Sequence, residues 1–446
     1  MRIIGNNPAA ENAEITAVAS GTMADGKAVV VNADGTVSVV SGASGTEGIG
    51  SNVVYQNAAV DYPSSAYDSN SNRTVVAYRT SGAQYAAVGT VTASNNSISW
   101  GTPVSPGGGS SSFNAATFDS SNNKIVLANT AKVRVATVDP SDNSISFGTA
   151  VDMSYAAQYV AATFDSNSNR VVIAFRPDGS PTGGWAVVGS VSGTNITLGT
   201  AVRFETGTTS NIAIAFDSNS NRVVIAYRDD SNANKPTAIV GSVDPSDNSI
   251  SFGTSGTYNT GNSYNIGCGF DSSSNKIVIT YRNSASGGSS YGTAVVGTVD
   301  PSDNSISFGT PVIFAEVTLN GSGVTYDVAA GKIVIAYANG SNSTGGVISG
   351  TVSGTTISFD TAVQYESGVV KYPGVAYDST SSRVVISYED DGSGTGIGTS
   401  AVFSTGYNST NLTSENFIGF ANGAASDGGT ARVQIGSGIN GAQSSL

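Results

Sequence analysis

Histidine is absent from all 446 residues, and cysteine occurs once, at Cys268. Without histidine the usual general base and most nucleophile–base triads are missing. A single cysteine permits no disulfide within the chain, and the two shortages together exclude a His/Cys metal cluster. Cys268 stands in Ile-Gly-Cys-Gly-Phe, where a sister segment reads Ile212-Ala-Ile-Ala-Phe216, so it reads as a small buried hydrophobe rather than a reactive thiol. Charge is scarce as well: only 11% of residues are charged, the net charge is −13, and no Lys/Arg cluster occurs. An acidic, unclustered surface repels phosphate backbones, which argues against nucleic acid as a partner. There is no apolar run of the roughly 18 residues that membrane insertion requires. The opening Met-Arg-Ile-Ile-Gly-Asn-Asn-Pro lacks the apolar stretch of a secretory signal, so export, if it happens, is expected by another route. No cofactor is expected.

Glycine, by contrast, is abundant at 55 residues, accompanied by Ser, Thr and Asn, a composition suited to short strands joined by tight turns. An aromatic-Asp pair recurs seven times at near-regular spacing, at Tyr67-Asp68, Phe118-Asp119, Phe164-Asp165, Phe216-Asp217, Phe270-Asp271, Tyr326-Asp327 and Tyr377-Asp378. The spacings of 51, 46, 52, 54, 56 and 51 residues fit one four-stranded propeller blade each. In one unit, strand a ends at Phe216 and a turn follows. Strand b is Arg222–Arg228, dense in β-branched residues, strand c is Thr237–Val243, and strand d begins at Ile250-Ser-Phe-Gly. Helical periodicity is absent. The expected fold is all-β: a seven-bladed β-propeller of four-stranded blades, with repeats starting near residues 62, 113, 159, 211, 265, 321 and 372. A solenoid or a row of sandwiches is the alternative architecture. An eight-bladed ring is the alternative count, because Lys27–Asn32 and Thr36–Val40 also read as strands.

The seventh unit loses the Ile-Ser-Phe-Gly pattern after Phe403, while Ile49–Gln56 resembles a strand d with no blade of its own. That segment is expected to close the last blade and so remove an open sheet edge. The domain reading is therefore a propeller over 49–405, flanked by 1–48 and 406–446. The flanks resemble each other (Met23–Val31 beside Ala425–Val433) and are expected to build a small anchoring β module. The a–b and c–d turns are nearly uniform, whereas the b–c loops Arg79–Gln84, Pro177–Gly184 and Asn283–Gly292 differ in length and content. Varied loops on a rigid frame suit recognition. Both flanks are expected at the uniform face, leaving the variable face outward.

Several residues could carry chemistry. The Asp-x-Asn-x-Asn strings, as in Asp217/Asn219/Asn221, resemble calcium loops, but lack the Gly and Glu that such loops use; Asx turns are the preferred reading. Strand b ends in aromatic-Arg four times, placing Arg79, Arg176, Arg228 and Arg282 at the variable face, for a ligand carboxylate or for the acidic loops (Asp229, Asp230, Glu389, Asp390, Asp391). Tyr85, Trp185 and Tyr291 start strand c in three units and could stack on sugar rings, or simply pack. Glu205, Glu316 and Glu366 recur at the end of strand d and follow the repeat, whereas a catalytic pair would break it. An enzyme is not expected.

The opening MRIIGNNPAAENAEITAVASGTMADGKAVVVNADGTVSVV, the repeated YDSNSNRVVIAYR and GTVDPSDNSISFGTPVIF, and the closing LTSENFIGFANGAASDGGTARVQIGSG resemble repeat proteins of marine tailed phages over nearly the whole chain. The resemblance implies a fibre-like or decorating component of the virion surface, made in the host cytoplasm. It implies partners among other virion proteins, assembly as a homo-oligomer or larger array, and contact with a host-surface glycan or protein. It brings no catalytic residues. Members of that family continue beyond a segment like 439–446. The alternatives are a purely structural assembly protein and a carbohydrate-active enzyme.

Overall fold

The computed structural model describes residues 13–20, 23, 28–32, 35–39, 44–107, 114–284, 290–392, 394–407, 417–421, 424–426 and 428–435. They form two compact units: Met1–Gly45 with Tyr407–Leu446, and Thr46–Gly406. In the smaller unit, strands from both chain ends interleave in one antiparallel sheet. Its order is Ala13–Val18, Thr430–Ile435, Phe417–Ala421, Ala28–Val31, Val37–Val39. Met23, Val29, Val37, Ala431 and Val433 make its core. The two segments that raised the alternative count thus belong to this sheet.

The larger unit is a succession of antiparallel sheets: one each for repeats two, three and four, one shared by repeats five and six through the strand Val312–Asp327, and one shared by repeats seven and one through the strand Val53–Asp68. In the fourth repeat, strand a is Thr209–Asp217, b is Arg222–Asp229 and c is Lys235–Asp244. Strand d comes in two pieces, Ser249–Phe252 and Gly256–Thr257, both paired with c. The run Val223–Tyr227 has no exposed surface at any position, because strand b has sheet neighbours on both edges and packed sheets on both faces. Strand a lies innermost. Successive a strands adjoin in chain order, and the a strand of repeat seven (Val370–Asp378) adjoins Val53–Asp68, which carries strand a of repeat one. The beginning of that 16-residue strand pairs with strand c of repeat seven, Val53 opposite Ser400 and Val54 opposite Thr399.

The uniform turns explain themselves. Asp217 Oδ1 accepts the backbone N–H of Asn219 and Ser220 at 2.9 and 3.0 Å, and Asn221 closes the turn at φ 54°. Asn tolerates that left-handed backbone better than most residues. The Arg that follows reaches the next repeat. Arg73 Nε donates to Asn143 Oδ1 and its Nη2 to Pro140 O, both at 2.6 Å, and so clasps the neighbouring c–d turn. Arg383 of repeat seven makes the same contacts with Asn96 and Ala93 of repeat one, at 2.6 and 3.0 Å. These contacts account for the Asp, Asn and Arg of the calcium-like strings. The larger unit ends beside this class of turn, where Thr405 Oγ1 donates to Asp327 Oδ2 at 2.6 Å.

Candidate binding face

The site is built by a bulge. Each a strand fully described shifts register against b about five residues before its aromatic-Asp pair: between Asp61 and Ser64, Gln158 and Ala161, Ser210 and Ala213, Tyr264 and Gly267, Leu319 and Ser322, and Lys371 and Gly374. A bulge turns a side chain out of the pleat. Here the turned residues line one axial cavity of about 250 Å³, between the inner strands at the loop end: Tyr62, Tyr159, Asn211, Asn265 and Tyr372, with Asn114 and Asn320. A deeper cavity of about 300 Å³ continues along the same strands and is lined by small residues such as Ser65, Ala162, Gly267 and Gly323. Cys268 lies there, and burial pushes its thiol up to about 12, so it stays protonated and unreactive.

Amides tie the inner strands together. Asn265 N–H donates to Asn211 Oδ1 and its Nδ2 to Leu319 O, both at 2.8 Å, and Asn114 Nδ2 donates to Tyr62 O at 3.3 Å. The tyrosines are costlier. Tyr62, Tyr159 and Tyr372 all sit at φ 50°, while the equivalent Asn211 and Asn265 sit at 51° and 53°. Left-handed backbone suits Asn but is an outlier for a bulky ring, at about 1–3 kcal/mol each. Tyr62 and Tyr372 pack together with ring centroids 4.5 Å apart, and Tyr372 remains 37% exposed.

Around the cavity stand the arginines of strand b. Arg79 pairs with Asp61 at 3.3 Å. Arg176 lies over the Tyr159 ring at 4.8 Å, donates to Thr209 O at 3.1 Å, bonds Gln158, and stands 4.0 Å from Asp230. Arg228 pairs with the same Asp230 at 2.8 Å and donates to Asn234 Oδ1 at 2.6 Å. Arg228 and Arg282 both lie 4.3 Å from the centre of the Tyr264 ring. The structure thus brings Arg176, Arg228 and Arg282 into one row and leaves Arg79 apart. In repeat seven the place of the arginine is taken by Glu389, which binds Lys371 at 2.9 Å; Lys371 also holds Asp391 at 2.8 Å. Burial raises the Glu389 carboxyl above the ordinary range, against the pull of Lys371.

Tyr85, Trp185 and Tyr291 do not line the axial cavity. They start the c strands of repeats one, three and five, two strands out from the axis. Tyr85 stacks on Tyr78 at 6.1 Å, and Trp185 packs on Tyr155 at 5.3 Å with Arg203 at 5.9 Å over its face. Tyr291 is half-buried opposite Asn283. Glu205 and Glu366 play one part twice. Each accepts a tyrosine hydroxyl of the next repeat at 3.0 Å, from Tyr227 and Tyr388, and caps its own loop through a backbone N–H. Among the described residues no cluster of three or more Cys, Asp or Glu side chains is placed to hold a metal. None has a helix long and apolar enough to cross a membrane.

No protein-family model matches the chain, and no curated protein matches its sequence. Solved structures do. A protein from Lactobacillus plantarum aligns with a TM-score of 0.51 at 11% identity, over 80% of this chain and 98% of that one. The Cps50 (Swd1) β-propeller domain of Myceliophteria thermophila aligns with a TM-score of 0.47 at 10% identity, over 79% and 99%. Sqt1 of Saccharomyces cerevisiae gives 0.48 at 9%, over 80% and 99%. The chain is an all-β protein whose successive antiparallel sheets, with their inner strands adjoining in turn, have the architecture of a β-propeller. At such identities the likeness concerns the fold alone, so function has to be argued from the binding face.

Proposed function

We propose that this is a non-catalytic attachment protein whose axial pocket takes a glycan of a host-cell surface, displayed on a virion. One observation carries the binding reading. Three tyrosines are held in left-handed backbone where the same bulge elsewhere uses Asn or Gly, and all three face the axial cavity. Strain kept at equivalent positions around one cavity points to use rather than packing. Flat apolar rings among amides match a sugar, which offers apolar C–H faces and hydroxyl edges. Assignment to a virion, and to partners among its structural proteins and copies of itself, rests on the resemblance of the repeat and of both ends to marine tailed-phage proteins. The sheet made from the two chain ends is then the anchoring module.

The ring in this reading has seven blades and is closed by the N-terminal strand. Two details support it. The first piece of strand d in repeats one to five is followed directly by a glycine, because a Cβ there would meet the next blade's c–d turn; at Gly253 it would lie 2.1 Å from Asn304 O. Gly50 carries the same constraint, 1.7 Å from Asn96 O of repeat one, as the missing d strand of blade seven should. At the matching place in repeat six stands Asp360, which faces the one blade with no c–d turn because its d strand comes from the other end of the chain. Asp360 instead binds Lys332 at 2.7 Å and Ser349.

The test is a glycan array and a host-cell binding assay with the whole protein and with a Tyr62→Ala/Tyr372→Ala variant. Binding that falls at least about tenfold in the variant, without loss of folding, supports the reading. Silence of the wild type in both assays overturns it, and a particle map lacking this chain on its surface removes the virion assignment.

A further inference from the structure

The charged pairs on the binding face are not alike. In repeats one and seven the residue opposite the b-strand charge carries the opposite sign: Asp61 faces Arg79, and Lys371 faces Glu389. In repeat five Arg282 faces Tyr264 on one side and Gly292 on the other. Its loop, 283–292, contains no acidic residue. Among the described residues it has no ion-pair partner, and its Nε is buried without an acceptor. The second guanidinium on the same ring, Arg228, is already satisfied by Asp230 and Asn234, and Asp230 also serves Arg176. Two guanidiniums therefore share one carboxylate, and a third beside them, half-buried, has none among the described residues. A charge so placed is costly until an anion meets it. The planar fork of Arg282 suits a carboxylate in particular.

Resting on the glycan reading above, we infer that Arg282, with Tyr264 and Arg228 behind it, is a subsite for the carboxylate of an acidic sugar. Asn265, the residue after Tyr264, lines the axial cavity, so an acidic ring held at Arg282 adjoins a neighbouring ring in the pocket. The ligand class is a uronate-bearing or similarly carboxylated glycan, and its capture weakens as salt screens the pair.

The test titrates the whole protein with glucuronate and, separately, with neutral glucuronamide, following the arginine Nε–H signals. Glucuronate should move the Arg282 signal and bind at least about tenfold more tightly than the amide. Arg282→Gln should abolish that preference, Arg282→Lys should retain part of it, and Lys276→Gln, at the turn end of the same strand, should leave it unchanged, with thermal melts confirming folding. Equal binding of acid and amide overturns the inference, as does a preference that survives Arg282→Gln. So does an acidic peptide that occupies the site while glucuronate does not. If neutral glycans bind through Tyr62 and Tyr372 but glucuronate never moves Arg282, the subsite fails and the pocket stands. If glucuronate binds as described and the array stays silent, the subsite stands and the attachment reading fails.

Discussion

The two ends of the repeats solve opposite problems with the same residue types. At the turn end, acids and amides are spent on the backbone: Asp217 caps two N–H groups, and Arg73 clasps the next turn through Asn143 and Pro140. At the loop end, the inner strands bulge, tyrosines sit in strained backbone, and charges pair with each other or with a ring. At one end an Asp caps its turn in every repeat, whereas the other end differs from repeat to repeat. Satisfied hydrogen bonds give rigidity, and the rigid frame is what lets the other end tolerate strain.

The comparison breaks most visibly at the seam. Gly50→Val should cost about 4–5 kcal/mol, in the range kept for severe core clashes, because no side chain gives way 1.7 Å from a backbone oxygen. A thermal melt that falls by about ten degrees or a failure to fold is expected. Asp360→Gly, which only removes the Lys332 and Ser349 contacts, should cost far less. If Gly50→Val melts like the wild type, the N-terminal strand does not close the ring.

Next in size is the turn itself. Asp271→Ala leaves the N–H groups of Ser273 and Ser274 without their acceptor and should cost about 2–3 kcal/mol. Arg79→Gln at the loop end should cost no more than about 1 kcal/mol, since its partner Asp61 is substantially exposed. Urea titrations of both variants check the contrast, and equal losses would erase the distinction between the ends.

These differences mark what a sequence shows. The turn end is legible because Asp, Asn and Arg recur there at fixed offsets, and fixed offsets are what a shared backbone geometry produces. Strands a to c follow from the spacing, although the break in d was not foreseen, since Gly-Thr reads as a continuation of the strand. The axial site was missed. Tyr85, Trp185 and Tyr291 drew attention as aromatics on c strands, yet the residues at the axis are Tyr62, Tyr159 and Tyr372, which do not alternate with their neighbours because a bulge reverses the side-chain direction. A signal was available. Five residues before the aromatic-Asp pair, six of the repeats carry Tyr, Asn or Gly (Tyr62, Tyr159, Asn211, Asn265, Gly321, Tyr372), and Asn and Gly are the residues that left-handed backbone selects.

That pattern yields a smaller and sharper effect. Tyr159→Asn installs the residue found at the equivalent 211 and 265. It gives up the contact with Arg176, about 0.5–1 kcal/mol, and releases strain of about 1–3 kcal/mol. The melt should therefore hold or rise slightly while glycan affinity falls. A clear loss of stability would mean the ring is there for packing.

The smallest effect sets the ends against each other by pH. At the turn end, the Ser246 hydroxyl and backbone N–H hold Asp244 below the usual carboxylate range. Its contribution is present above the unfolded value of about 4 and fades as pH falls through the lower folded value. At the loop end, burial raises Asp229, and the charge of Glu205 adds to the rise. Here the protonated form is the one favoured in the fold, so this residue's contribution is present below about pH 4 and is lost as pH climbs through the raised value. Asp229→Asn keeps an oxygen for the N–H groups of Ser231 and Asn232 but removes the ionisation. Its melt should exceed the wild type by about a degree or two at pH 7, and the advantage should vanish below about pH 4. Asp244→Asn should behave in the opposite sense, poorer than the wild type at pH 7 and level with it in acid. Parallel profiles for the two variants would show that the two ends do not differ in electrostatic character, whatever their difference in shape.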